Sequence, residues 1–229
     1  MNDLSSFDQQ VTLALNGSHS LLLDNAAMIE TTTIAYLLPM LCLFYIIFKN
    51  KSRKESLIIF LTIAVMLFVA DRICSGYVKP TVARWRPARD PEIMYLVDTV
   101  LNYRGGRFGF FSGHSCNSFC VATFLALLFR SWRMTLTLFF FAALHAFNRV
   151  YLGVHYLGDI TVGFFVGLLI GIIFYLIYNR IQIRFQSTRL ISEQFTSSGF
   201  LHSDIDIFLT VVFLNYILIL LFSLTRGII

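Results

Sequence analysis

Three short stretches of the chain carry residue types suited to phosphoryl chemistry. The last of them reads Arg149-Val150-Tyr151-Leu152-Gly153-Val154-His155-Tyr156-Leu157-Gly158-Asp159. If the chain is helical from His155 onward, Asp159 lies one turn along the same face and can accept the Nδ1 proton of the imidazole. That hydrogen bond would set the tautomer and leave Nε2 free to attack phosphorus. Arg149 would complete a cage for an anion.

The second stretch is Phe111-Ser112-Gly113-His114, directly before an apolar run, so its backbone N–H groups are expected at a helix N-terminus. Free donors and the helix dipole favour an anion there. Ser112 can cap the helix and donate to a phosphate oxygen, Gly113 allows close backbone approach, and His114 could protonate a departing alkoxide. The first stretch runs from Lys79 to Pro87. In it Lys79 supplies a point charge and Arg86 a planar fork for two phosphate oxygens. Each stretch alone has a structural alternative: a snorkelling cation for Lys79 or Arg86, an ordinary N-cap for Ser112, a structural histidine for His155.

The elements that must position these residues are expected to be membrane helices. Hydrophobic residues make up 57% of the chain against 14% charged, with 24 phenylalanines and 10 tyrosines, more than a soluble domain of 229 residues could hide. A bilayer core of about 30 Å needs roughly twenty apolar residues per helix. Runs of that kind lie near Thr31–Phe48, Leu57–Tyr77, Ser115–Phe129, Met134–Phe147, Ile160–Tyr178 and Ile205–Leu224. The third and fourth are short and are expected to extend into the polar stretches beside them. The chain is thus read as an all-α, polytopic bundle of about six transmembrane helices forming one domain over residues 1–229. Leu4, Phe7, Val11 and Ala14 recur at helical spacing before Asn16-Gly17, which predicts an amphipathic helix on the membrane surface. No cleavable signal peptide is expected, since the first thirty residues contain no Lys or Arg.

Three connections are basic: Lys49, Lys51, Arg53 and Lys54; Arg130 and Arg133; Arg180, Arg184 and Arg189. They share a side if every helix crosses, and that side is expected to be cytoplasmic. Asp3, Asp8, Asp24 and Glu30 then lie outside. One outer connection breaks the rule by carrying Arg72, Lys79, Arg84, Arg86, Arg89, Arg104 and Arg107, which suggests cations kept to hold an anion. The alternative is a solvated basic face on a connection long enough to escape the rule. All three chemical stretches fall on this outer face although residues 79 and 159 are far apart in sequence. The net charge of +5 comes in short clusters, so nucleic acid is not expected as a partner.

Other residues receive structural readings. Cys42, Cys74, Cys116 and Cys120 lack metal or disulfide spacing and are read as small packing residues. Gly163, Gly167 and Gly171 suggest close helix packing. Trp85, Tyr151 and Tyr156 suit an interfacial belt. His145 is read as a buried hydrogen-bonding residue, and Ser187–Ser203 as a polar cytoplasmic loop.

At these residues the chain closely resembles the type 2 phosphatidic acid phosphatase superfamily, whose signatures are KxxxxxxRP, PSGH and SRxxxxxHxxxD. Lys79, Arg86 and Pro87 match the first. Ser112, Gly113 and His114 match the second, with Phe111 in place of proline. Arg149, His155 and Asp159 match the third, with Asn148 in place of serine. Phe111 is expected to reshape the lipid-facing wall of the pocket, and Asn148 to leave the anion cage intact.

The resemblance implies a metal-independent, two-step mechanism without cofactors. His155 takes the phosphoryl group, Asp159 orients it, and His114 protonates the leaving oxygen. Lys79, Arg86, Arg149, Ser112 and the Gly113 amide hold the phosphoryl oxygens, and water releases phosphate. The implied substrate is a membrane lipid phosphate or diphosphate at the outer face of a bacterial-type inner membrane. Undecaprenyl diphosphate, phosphatidylglycerol phosphate, phosphatidic acid and the phosphates of lipid A are admitted. Two alternatives use the same pocket: transfer of the phosphoryl group to a second lipid, and non-catalytic binding or transport of anionic lipid. The sequence says nothing of oligomeric state.

Overall fold

The computed structural model describes residues 3–18, 20–182 and 193–225. Two helices, α1 (Asp3–Leu15) and α2 (Leu21–Glu30), precede a 3₁₀ turn, Thr33–Tyr36, that runs into α3 (Leu37–Asn50). The next helix, α4 (Arg53–Asp71), continues through a π-helical stretch, Arg72–Val78, into the short α5 (Lys79–Val82). A long connection leads to α6 (Gly113–Phe129), α7 (Trp132–Tyr151), α8 (Leu157–Gln182) and α9 (His202–Thr225). The side chains of Asp3 and Leu4, the basic residues Arg184 and Arg189, and the start of the loop from Ser187 lie outside the described residues.

Four of the described stretches, Thr33–Asn50, Arg53–Val82, Leu157–Gln182 and His202–Thr225, are long and apolar enough to cross a membrane, and α6 is apolar but shorter. Large apolar side chains such as Phe44, Leu61, Phe68, Phe165, Leu169 and Phe213 stand exposed on the outer faces. Only a hydrocarbon surround makes that surface stable, because water would impose a cost on each. Inside, Ile46, Ile59, Met66, Phe124, Phe129 and Ile205 form one core. The four cysteines are free, and Cys74, Cys116 and Cys120 are buried in that core.

Local chemistry sets the helix boundaries. Ser52 and Glu55 form a reciprocal capping box that starts α4. Ser112 caps α6, its Oγ accepting the Ser115 N–H at 3.4 Å. The two short apolar runs extend as expected, α6 back to Gly113 and α7 on to Tyr151, so each carries part of a polar motif within a helix.

The contact between α6 and α8 decides where the chemistry sits. Gly163, Gly167 and Gly171 lie against the backbone carbonyls of Ser112, Cys116 and Cys120. This is the close packing expected of them, and it locks the two helices in register. A Cβ at Gly163 would stand 2.7 Å from the Ser112 carbonyl oxygen, and one at Gly171 would stand 2.7 Å from that of Cys120. Both Gly163→Ala and Gly171→Ala are therefore expected to destabilise the protein by about 1–3 kcal/mol through overpacking. Only the first displaces the mouth of the site. Thermal midpoints in detergent should fall for both, while phosphatase activity falls mainly for Gly163→Ala.

The basic connections gather at the opposite end of the bundle. Lys49 pairs with Asp204 at 2.6 Å, Lys51 donates to the Ser198 carbonyl at 2.6 Å, and Arg133 pairs with Asp206. Gln182 donates to Glu55 at 3.1 Å. The described part of the loop beyond Ser187 is not merely polar, since it buries Phe200 against Phe129 beneath the helices.

Three expectations need correction. Tyr151 and Tyr156 are buried rather than interfacial, because each hydroxyl finds a carboxylate inside the protein: Asp24 for Tyr151 and Asp90 for Tyr156. Phe111 is 3% exposed and belongs to the core instead of a lipid-facing wall. Its carbonyl accepts the Cys74 thiol at 3.2 Å, which ties it to the end of the α4 segment. Finally, α1 ends at Asn16-Gly17 as expected, but it buries polar Gln9 and Thr12 and leaves Phe7 61% exposed. It is docked through its polar face.

Candidate active site

The motif after α7 makes a tight turn before α8 begins. Gly153 takes a left-handed φ of +67°, and a single carbonyl, that of Arg149, accepts both the Val154 and His155 N–H groups. His155 thus lies just ahead of α8, not within it as the spacing suggested. Its contact with Asp159 forms differently from a helical i,i+4 pair. The Asp159 carboxylate folds back over the helix N-terminus, where Oδ2 accepts the Tyr156 N–H at 3.1 Å and meets His155 Nδ1 at 3.2 Å. An acid in the first turn reaching back to the cap residue's N–H is one half of a capping box.

His155 and Asp159 are both fully buried. Burial lowers the imidazole pKa to about 4 despite the opposing carboxylate, with Arg86 and Lys79 adding to the lowering. At neutral pH the ring is uncharged. With Nδ1–H directed at Asp159, the lone pair resides on Nε2, which has no hydrogen-bond partner among the described residues. A buried nitrogen left unpaired costs stability, and such a cost persists where function needs the atom.

Arg149 shows the same incompleteness. It is 1% exposed, and its Nε and Nη2 have no hydrogen-bond acceptor among the described residues. The nearest carboxylate, that of Glu30, stands 3.7 Å from Nη2. Arg86 is half-buried and held by backbone carbonyls, Nε to Phe108 at 3.1 Å and Nη1 to Val154 at 3.4 Å. Burial lowers its pKa below the usual arginine value. Lys79 reaches the start of α6, since a Cβ on Gly113 would lie 3.9 Å from its Nζ. Three cations thus gather near the N-terminus of α6, Lys79 and Arg86 with no ion-pair partner among the described residues and Arg149 with Glu30 at 3.7 Å. A phosphate would relieve their mutual repulsion and satisfy first-turn N–H groups at once.

Ser112 and His114 complete the cluster. Ser112 is buried, its N–H donating to the Asp159 carbonyl at 3.0 Å, which ties the α6 start to the α8 start. His114 stays exposed on the first turn of α6, within electrostatic range of Arg149, His155 and Lys79. The loop before α6 covers the histidine–aspartate pair at Gly109. A Cβ there would meet Asp159 Oδ2 at 2.8 Å and His155 Nδ1 at 3.6 Å, so only glycine fits. All eight residues singled out in the sequence for this site, Lys79, Arg86, Ser112, Gly113, His114, Arg149, His155 and Asp159, are thereby brought to one end of the bundle.

The remaining cations of the outer connection have other work. Arg89 and Arg104 donate to the carbonyls of Gly105 and Ala88 and staple the loop. Arg107 lies 4.8 Å over Trp85. Arg84, counted in the sequence among the cations kept to hold an anion, instead bonds two of the protein's own carboxylates, Asp159 Oδ1 at 3.0 Å and Asp8 Oδ2 at 2.7 Å. Glu30, named in the sequence only as an outer acidic residue, has a specific partner. It binds His145 Nδ1 at 2.6 Å, beside Tyr36, and the His145 ring is 5.6 Å from that of His114. His145 is therefore a largely buried hydrogen-bonding residue, as read from the sequence. Asn148 donates to the Ala27 carbonyl at 3.0 Å and to Glu30, so it braces α7 against α2.

Comparison with known proteins places these features in context. The model of the PAP2 superfamily matches residues 57–183. A lipid A 4′-phosphatase of Bacteroides thetaiotaomicron is 37% identical over 186 residues, 80% of this chain and 82% of its own length. A lipid A 4′-phosphatase of Porphyromonas gingivalis is 33% identical over 178 residues, 78% of this chain and 75% of its own. Among solved structures, a transmembrane PAP2-type phosphatidylglycerolphosphate phosphatase from Bacillus subtilis aligns with a TM-score of 0.57 at 20% identity, covering 82% of this chain and 90% of that one. At that identity the likeness concerns the fold.

Proposed function

The chain belongs to the PAP2 superfamily and is a phosphatase of membrane lipid phosphates, and from that premise we propose that it removes the 4′-phosphate of lipid A through a phosphohistidine at His155. One observation carries the mechanism: a fully buried imidazole whose Nδ1 is held by Asp159 and whose Nε2 has no partner among the described residues. Two relatives that are lipid A 4′-phosphatases, each more than 30% identical over most of its length, support the choice of lipid.

In the first step the His155 Nε2 lone pair forms the N–P bond as the P–O bond to the sugar breaks. His114, whose pKa desolvation and the neighbouring cations otherwise hold down at about 3, is protonated once a phosphate dianion lies beside it, and gives that proton to the departing oxygen. Asp159 stabilises the imidazolium charge that develops. Lys79, Arg86, Arg149, Ser112 Oγ and the Gly113 N–H hold the equatorial oxygens, where preorganised donors act most strongly. In the second step water attacks phosphorus, His114 takes its proton, and the P–N bond breaks to restore neutral His155 and release inorganic phosphate. No metal or cofactor takes part in either step. The basic connections at the far end of the bundle support an inner-membrane protein with the site at the periplasmic face, and the same reading takes the chain as one domain of about six spans.

Purified protein in detergent, supplied with bis-phosphorylated lipid A, is expected to release phosphate in the presence of chelator and to be inhibited by vanadate. The product should lack the 4′-phosphate and keep the 1-phosphate by mass spectrometry. A strict metal requirement would sink the mechanism, and a phosphorylated acceptor lipid in place of inorganic phosphate would reassign the reaction to phosphotransfer.

A further inference from the structure

The N-terminal helix has no part in the reaction just described, yet it contacts the centre of the site. Asp8 uses both carboxylate oxygens: Oδ1 accepts the Gly158 N–H at 2.8 Å and Oδ2 binds Arg84 Nη2 at 2.7 Å. One turn on, Thr12 Oγ1 accepts the Leu157 N–H at 3.0 Å. Leu157 and Gly158 open α8, and N–H groups at that point have no acceptor within their own helix. A segment about 150 residues upstream supplies both. A carboxylate there is also favoured by the dipole of α8.

Arg84 is the shared link. Its guanidinium spans Asp8 and Asp159 and lies 4.0 Å over the Tyr156 ring, whose hydroxyl is fixed by Asp90 at 2.6 Å. Side-chain exposure falls from 27% at Arg84 and 15% at Asp8 to 0% at Asp159, so the chain of charges runs inward from the protein margin to the imidazole. A half-buried arginine between two carboxylates is satisfied on both sides. Without Asp8, its whole attraction would fall on Asp159, whose other oxygen must stay on His155.

We propose that Asp8 is a positioning residue, which holds Arg84 and the first turn of α8 so that Asp159 keeps its hydrogen bond to His155. α1 is then a structural part of the active site, not only a membrane-surface anchor. Further contacts tie it to the same region: Asn16 donates to the carbonyls of Asp98 at 3.0 Å and Tyr151 at 2.8 Å, and accepts the Asp98 N–H at 2.7 Å. The inference rests on the phosphohistidine reading above.

The decisive variant is Asp8→Asn, which keeps the shape and an acceptor for Gly158 but removes the charge facing Arg84. His155 is faced by Asp159 from α8, Arg86 and Arg84 from the connection, Lys79 from α5, His114 from α6 and Arg149 from α7. Asp8 stands behind Arg84, so losing its charge leaves the guanidinium less neutralised beside Asp159 and His155 and disfavours the imidazolium. The expected result is a fall in kcat of roughly tenfold to hundredfold, as for other residues that orient a histidine through its carboxylate, with KM little changed. The acidic limb of kcat/KM should move to lower pH, and Asp8→Glu should restore part of the rate. The Asp8→Asn and Arg84→Gln effects should be non-additive, because they break one network. Thr12→Val removes only the second cap and should lower the thermal midpoint while sparing kcat. An Asp8→Asn enzyme that is merely less stable, with kcat and the acidic limb of wild type, would overturn the proposal, as would additivity with Arg84→Gln. If wild-type protein fails to hydrolyse lipid phosphate at all, the functional reading falls instead, and the two failures are told apart within one assay.

Discussion

His155→Ala is expected to reduce phosphate release by on the order of 10⁵-fold, since removing a nucleophile costs about as much as dismantling the whole catalytic group. No second residue is placed to replace it. The imidazole is buried, its Nε2 has no hydrogen-bond partner among the described residues, and the other histidine near the proposed phosphate cage, His114, stands on the leaving-group side in the proposed mechanism. Lys79, Arg86 and Arg149 remain, so the variant should still bind anionic lipid. Measuring phosphate release and lipid binding on the same folded preparation separates the two. Retained turnover would remove the enzymatic role of this residue and favour a lipid-binding or transport protein. An acid-labile phosphoryl label trapped on wild-type protein and absent from His155→Ala would identify the intermediate directly.

Asp159→Asn is the second large effect, about 10³–10⁴-fold in kcat by analogy with other histidine–carboxylate pairs. Asparagine can still bond Nδ1, but as a donor it selects the tautomer with the proton on Nε2, the wrong nitrogen. It also removes the charge that stabilises the imidazolium and leaves Arg84 with Asp8 alone. The pH dependence has a definite sign. Burial lowers the His155 pKa to about 4, and Asp159 is the group that opposes that lowering. Wild-type kcat/KM should therefore fall as pH drops through roughly 4, where the nucleophile becomes protonated. Loss of the carboxylate lowers the pKa further, so the acidic limb of the variant should move to lower pH while the plateau drops. A limb that moves upward would mean that a group other than His155 sets it.

The helical spans and their ends were legible because each depends on residues close in sequence. An apolar run long enough for a bilayer, a Ser52–Glu55 capping box, or a serine before a helix acts locally. The proposed phosphate cage was legible in part for the same reason. Lys79 with Arg86, Ser112 with His114 and Arg149 with Asp159 are each short motifs with a readable chemistry. Misreadings came where burial overrode type. Tyr151 and Tyr156 look interfacial by residue class, but interior carboxylates satisfy their hydroxyls. Phe111 looks lipid-facing, yet it fills the core.

The sequence by itself determined that this is a helical membrane protein with three chemically coherent motifs, since hydropathy and motif spacing are properties of contiguous residues. Tertiary structure alone decided which cations meet a carboxylate and which are left to the proposed anion. Arg84 and Arg86 are two positions apart with the same side chain, but one is neutralised by Asp8 and Asp159 while the other is held by backbone carbonyls. It also decided that α1 turns its polar face inward and that Glu30 braces His145. Those contacts cross more than 70 residues of chain and depend on the α6–α8 glycine register, which no local pattern encodes.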